Sequence, residues 1–384
     1  MSILKKYALL FLVPVLLLAG CAKDNTPPPM ALSKVAPHEL KTRVMWHAET
    51  GDGAGEQGLT LSPAVNGHYL VAVGYKGYIT ALNRLSGQRL WQLRLHAHPS
   101  ATPTISGHTV YVGTMGGRIF AINLLNGHVV WHAQASSSVL AAVAVRNNTV
   151  VAHTNDDGVT AFDALTGKQL WHRNGTSPRL QLMASSAPVI AGGLVIVGTN
   201  TGDLMALDLQ NGQLQWSRPV ALPTGSSTVA QMVVVSGAPV VANDVIYAVS
   251  YHGNLVAVNL QNGHLIWQHP VSSYESVAVG SGRVFVTNDQ GMVMAFDEET
   301  GRELWQQHRL LHRFVSAPVV VVNYVVVGDY QGYVHWLSVQ DGRLLARNQI
   351  ASSCVRGAGI ADKGIVYFVS NSGKLAALQD QSST

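Results

Sequence analysis

The chain has 384 residues, of which 37 are Gly, 12% are charged and 47% are hydrophobic, and its formal net charge is +4. This balance excludes a disordered or predominantly helical protein and suits many short strands joined by tight turns. Lys and Arg form no stripe, and two of the positive charges, Lys5 and Lys6, fall in a leader, so nucleic-acid binding has no electrostatic basis.

Residues 1–21 read as a targeting segment that stands outside the fold. Lys5-Lys6 supply the positive end, and Tyr7 to Leu18 is an apolar run too short for a comfortable membrane span. Leu18-Ala19-Gly20-Cys21 resembles the bacterial lipobox, whose Cys is diacylated and becomes the first residue of the mature chain. Cys21 is therefore the expected lipidation site. Ala22 follows it, and the lack of an Asp there points to the outer membrane, with the protein on its periplasmic face. Several acyl chains on one residue make a stable anchor where one would be marginal. Residues 22–38, polar and Pro-rich around Thr26-Pro27-Pro28-Pro29, read as an extended tether. Residues 39–380 then form one domain.

That domain is a repeat. In Val195 to Trp216 an apolar run stops at Gly198, Thr199-Asn200-Thr201-Gly202 supplies a turn, and Leu204 to Asp208 returns. Asn211-Gly212 turns again before a strand ending on Trp216. The same order recurs with a turn Gly at Gly87, Gly127, Gly167, Gly212, Gly263, Gly301 and Gly342. Four residues on come Trp91, Trp131, Trp171, Trp216, Trp267 and Trp305, with Ala346 in the seventh copy. A further strand, often marked by Ala-Pro-Val as at Ala187-Pro188-Val189, precedes each copy. Four strands per 38 to 51 residues, with period 2 inside them, predict propeller blades and exclude a helical solenoid.

The two ends fix the blade number. Gly373 to Leu378 reads as the third strand of an eighth unit with no Trp strand after it, while Thr42 to Trp46 is a Trp strand with no blade before it. Pairing the two closes the ring and removes an open sheet edge. The expectation is all-β: an eight-bladed β-propeller of four-stranded antiparallel blades, closed by the N-terminal strand, with the Trp residues as inter-blade anchors.

A search for chemistry yields little. The 16 His residues are scattered, and the close pair His96/His98 has no evident third ligand, so no metal site is expected. Asp156-Asp157-Gly158 and Asn288-Asp289-Gln290-Gly291 resemble calcium loops but fall where every blade turns. No nucleophile elbow, phosphate loop or His-Glu-x-x-His motif is present, so no catalytic residue and no cofactor is expected. With Cys21 lipidated, Cys354 remains as a packed, inert thiol. Departures from the repeat are more informative, because insertions map to surface loops. Two adjacent connections stand out. One holds Leu180-Gln181-Leu182-Met183; the other, 217–237, holds Met232-Val233-Val234-Val235. Both read either as extra strand at a blade edge or as an apolar docking patch.

Ala161-Phe162-Asp163-Ala164-Leu165-Thr166-Gly167 through Trp171 resembles the repeat of quinoprotein-type (PQQ-like) propellers. With the lipobox, eight blades, Leu310-Leu311-His312-Arg313 and Val327-Gly328-Asp329, the chain resembles the BamB family, lipoproteins of the outer-membrane β-barrel assembly (BAM) machinery. The resemblance implies a non-catalytic scaffold that binds a POTRA domain of BamA, sits with the other BAM components and assists unfolded β-barrel clients. The family's contact loop carries alternating Leu residues, matched by Leu180 and Leu182. An Arg follows them in the family where this chain has Met183, and the family's acidic pair is matched by Val234 and Ser236. The resemblance thus implies either a more apolar version of the same contact or a different partner surface. The alternatives are a PQQ-dependent dehydrogenase, for which the chain lacks a vicinal Cys pair and pocket-walling segments, or a periplasmic ligand-binding propeller.

Overall fold

The computed structural model describes residues 27–33, 40–176, 183, 185–223 and 232–381. Cys21, Leu180 and Leu182 lie outside these. Among the described residues the strands pair into eight four-stranded antiparallel sheets, each a meander from the axis outwards. Blade 1 is Ala64–Asn66, Tyr69–Val73, Tyr78–Asn83 and Arg89–Arg94. Blades 2 to 7 repeat it, with innermost strands beginning at Thr104, Ala144, Val189, Val240, Ala278 and Val319. Blade 8 joins Ile360–Asp362, Ile365–Val369 and Lys374–Asp380 to the N-terminal strand Thr42–Glu49, whose register runs from Thr42↔Asp380 to Glu49↔Lys374. Each innermost strand neighbours the next, and Ile360–Asp362 returns to Ala64–Asn66, so the ring closes as the two ends of the sequence predict.

Burial follows from stacking. The second and third strands of a blade are covered on both faces by neighbouring blades, so Leu70 to Val73 and Ile79 to Leu82 are buried without alternation. The outer strand is covered on one face only, and Arg89–Arg94 alternates between exposed and half-buried. A register shift recurs where an Ala of the third strand faces the Trp, as at Ala81↔Trp91 and Ala121↔Trp131.

Each outer-strand Trp docks on the next blade in one way. Trp91 Nε1 donates to Leu124 O at 2.7 Å, Trp131 Nε1 to Ala164 O at 2.9 Å, and Trp305 Nε1 to Val339 O at 2.9 Å. Trp46 of blade 8 closes the series on Arg84 O of blade 1, at 3.2 Å. The ring lies on the turn Gly three residues after the acceptor. At Gly167 (φ +71°) a Cβ would come within 2.6 Å of Trp131 Cε3, so the position needs Gly for both backbone and space.

The eighth junction differs. In blade 8 the third and fourth strands come from opposite ends of the chain, so there is no turn between them to offer a Gly and a carbonyl. Ala346 accordingly occupies the Trp position of blade 7. The seam is sealed instead by Trp336, which packs in one cluster with Phe368, Ala376 and Leu378 of blade 8, by Thr42 Oγ1, which donates to Asn348 Oδ1 at 2.9 Å, and by Tyr324 OH, which donates to Asp380 Oδ2 at 2.9 Å.

Antiparallel order separates two faces. Turns between first and second and between third and fourth strands lie on one side. Inter-blade connections, with the turns between second and third strands, lie on the other, here named the loop face.

Candidate functional site: the loop face and channel mouth

Inter-blade connections converge on the axis at the loop face. Three of them cross over a Gly at the end of a second strand with a Val. Val139 stands over Gly113, Val235 over Gly198 and Val355 over Gly328, each so close that a Cβ on the Gly would collide with the Val. The amide of each Val also donates to the adjoining turn: Val139 N to Thr114 O at 3.1 Å, Val235 N to Thr199 O at 3.0 Å, Val355 N to Asp329 O at 2.9 Å.

This corrects the expectation of an apolar patch at Met232 to Val235. Val233, Val234 and Val235 are buried, Val234 to 2% exposure, and Val234 O accepts from Tyr251 N at 2.8 Å. Val235 is an ordinary repeat position, five residues before its inner strand as Val139 and Val355 are. Val234 therefore supports its loop from within. Ser236 is half-buried, and its hydroxyl donates to Tyr274 O at 3.0 Å.

Met183, by contrast, is 71% exposed. It lines a cavity of about 340 Å³ at the channel mouth, with Leu59, Leu140, Ser236, Glu275 and Arg356. The fold thus brings Met183 and Ser236, from two consecutive inter-blade connections, to one rim. Leu180 and Leu182 precede Met183 and lie outside the described residues.

Glu275 is the group at this mouth that sequence reading missed. Its Oε2 accepts from Ala317 N at 3.1 Å. Burial pushes its carboxyl up to about 7, against the opposing pull of the Ala317 amide and the Arg356 charge. A second missed cluster lies farther round the loop face. Arg313 and Asp329, 2% and 0% exposed, pair at 2.7 Å, and His335 Nε2 lies 2.9 Å from the same Asp329 oxygen. Burial works against the Asp329 charge, but His335 and Arg313 outweigh it and hold the carboxyl below its usual range. A His inside one apolar strand and an Asp directly after the other were the available signal.

The other candidates are turn and packing groups. Asp156 Oδ1 accepts from Thr154 Oγ1, Gly158 N and Ser136 Oγ, and Asn288 Oδ1 from Gln290 N and Met292 N; both side chains close their own turns. His98 stacks on Tyr75 at 4.8 Å, and among the described residues no group of three or more His, Cys, Asp or Glu is placed to hold a metal. Cys354 is a free thiol that burial pushes up to about 11.

The family profile described as outer membrane protein assembly factor BamB matches residues 75–307. The protein of that name from Alkalilimnicola ehrlichii is 46% identical over 97% of this chain and 96% of its own. The one from Pseudomonas aeruginosa is 44% identical over 94% of this chain and 96% of its own. The crystal structure of BamB from Moraxella catarrhalis superposes with a TM-score of 0.81 at 24% identity, covering 88% of this chain and all (100%) of that one. Quinohemoprotein alcohol dehydrogenase from Comamonas testosteroni has a TM-score of 0.68 at 12% identity, covering 88% of this chain and 76% of its own, a likeness of fold alone. The eight-bladed ring and these relatives together establish that the chain belongs to the BamB family of outer membrane protein assembly factors.

Proposed function

We propose that this protein is a non-catalytic scaffold for the assembly of β-barrel proteins into the outer membrane. In this reading it is held to the periplasmic face of that membrane by lipid on Cys21, and its loop face takes a POTRA domain of BamA. Family membership supports the assembly role, since the relatives carry the name outer membrane protein assembly factor. The observation that carries the docking site is Met183. A large apolar side chain stands 71% exposed at the channel rim, on a connection where the repeat needs only a turn. Leu180 and Leu182 immediately before it would extend that contact. An apolar anchor at the centre of an interface, ringed by polar groups such as Ser236 and Arg356, is a favourable arrangement for protein docking.

The role is tested in cells lacking this protein. Their outer-membrane barrel content is expected to fall and to recover with the parent chain. Recovery should fail with Leu180→Asp/Leu182→Asp and with Cys21→Ala. Unchanged barrel content in the deletion would overturn the assembly role, and full recovery with Cys21→Ala would overturn the anchor.

A further inference from the structure

Residues 27–33 lie against the ring, on the loop face at the seam of blades 6 and 7. Met30 N donates to Leu311 O at 3.0 Å, and Met30 O accepts from Arg313 Nη1 at 2.9 Å. Three residues on, Ser33 O accepts from Arg347 Nη1 at 3.3 Å. The docking groups are rigid. The Arg313 guanidinium is held by Asp329 through Nε and Nη2, at 2.9 and 2.7 Å, and by Gln331 Oε1 at 2.6 Å, so Nη1 is aimed at Met30 O. Its carbon stacks 5.1 Å from the centre of the Tyr330 ring. Met30 itself is 44% exposed, so the segment is held by its backbone and not by a pocket for its side chain.

We infer that residues 27–33 are a strap that holds the edge of the loop face at blades 6 and 7 to the lipid surface, leaving the Met183 connection between blades 3 and 4, across the ring, clear for a docked domain. The inference rests on the lipidation of Cys21 proposed above. From Cys21 to Pro27 is six residue steps, and at a maximum of about 3.6 Å per residue the lipid anchor lies within about 20 Å of the loop face. Without the strap the first fixed point would be the blade 8 strand at Thr42, with a reach of about 76 Å by the same measure, enough for either face to turn to the membrane. Beside the strap, Phe314 stands 53% exposed with φ +47°, its ring edge-on to Tyr330. An aromatic side chain presented in a left-handed backbone conformation next to the anchor suits the headgroup boundary of a bilayer.

The test uses the full-length lipidated protein in a Cys354→Ser background. A spin label on Ala31→Cys reports the strap, and its motion is expected to be slow. Met30→Pro removes the amide that donates to Leu311 without touching the ring, and should free the label. In vesicles, energy transfer to a headgroup acceptor is then compared for a fluorophore at Phe314→Cys, on the loop face, and at Leu165→Cys, 74% exposed on the opposite face. Transfer should be several-fold stronger from 314 than from 165, and the difference should vanish with Met30→Pro. A mobile label at residue 31 in the parent chain overturns the strap, and equal transfer from the two faces overturns the orientation. A second label on each chain, with no flotation on vesicles, would show that the Cys21 thiol is free. That is failure of the anchor, readable apart from the strap.

Discussion

The indole of Trp131 lies flat on Gly167 of the next blade while its Nε1 donates to Ala164 O at 2.9 Å. One side chain thus ties two blades by area and by a directed bond. Gly167→Ala would place a methyl 2.6 Å from Trp131 Cε3 on a backbone at φ +71°. We predict a loss of about 1–3 kcal/mol from overpacking and left-handed strain, read as a lower urea midpoint.

The seventh Trp position makes a further prediction from the same geometry. Trp305→Ala should cost about 3–5 kcal/mol, because a filled site is emptied. Ala346→Trp restores the repeat consensus, yet it should also destabilise, by about 1–3 kcal/mol, because blade 8 offers no turn to receive the ring and Ala346 is 6% exposed. Thermal unfolding of the two variants decides the matter, and a stabilised Ala346→Trp would contradict this account of the eighth seam.

Much of this architecture is legible in the sequence because it repeats. Turn Gly, outer Trp and period-2 strands give the blade, and the split between Thr42–Glu49 and Lys374–Asp380 gives the closure. What repetition does not encode is why one copy departs from it. The Ala at 346 follows from a missing turn in another blade, which only the assembled ring displays. The opposite error arises at Val235. Its apolar run looks like an insertion, but Val235 is the standard crossover residue, recognisable only beside Val139 and Val355 once their Gly partners are known. Arg313, Asp329 and His335 escape for a third reason. Arg313 and Asp329 stand in segments that carry the family resemblance, but their pairing with each other and with His335 depends on a loop meeting a turn and a strand.

Glu275 makes stability depend on pH. Its carboxyl sits at about 7 in the folded protein against 4.5 for the free group. Between these values the folded state binds more protons than the unfolded state, so stability is fully present below about pH 4.5 and declines as pH rises through about 7. The decline is on the order of 1–3 kcal/mol for this group. Urea midpoints across this range should show the fall, and Glu275→Gln should remove that component. A parent and a Gln variant with parallel profiles would contradict the shifted carboxyl.

The central claim is that this family member acts by docking, through the connection that carries Met183. Its most direct measurement is capture from detergent-solubilised envelope, with the lipidated chain as bait beside a Leu180→Asp/Leu182→Asp/Met183→Asp variant that retains its unfolding midpoint. The parent is predicted to recover a large β-barrel protein carrying POTRA domains, and the variant to lose it. Equal recovery by both baits would contradict the assigned loop, and recovery of no such protein by the parent would contradict the scaffold itself.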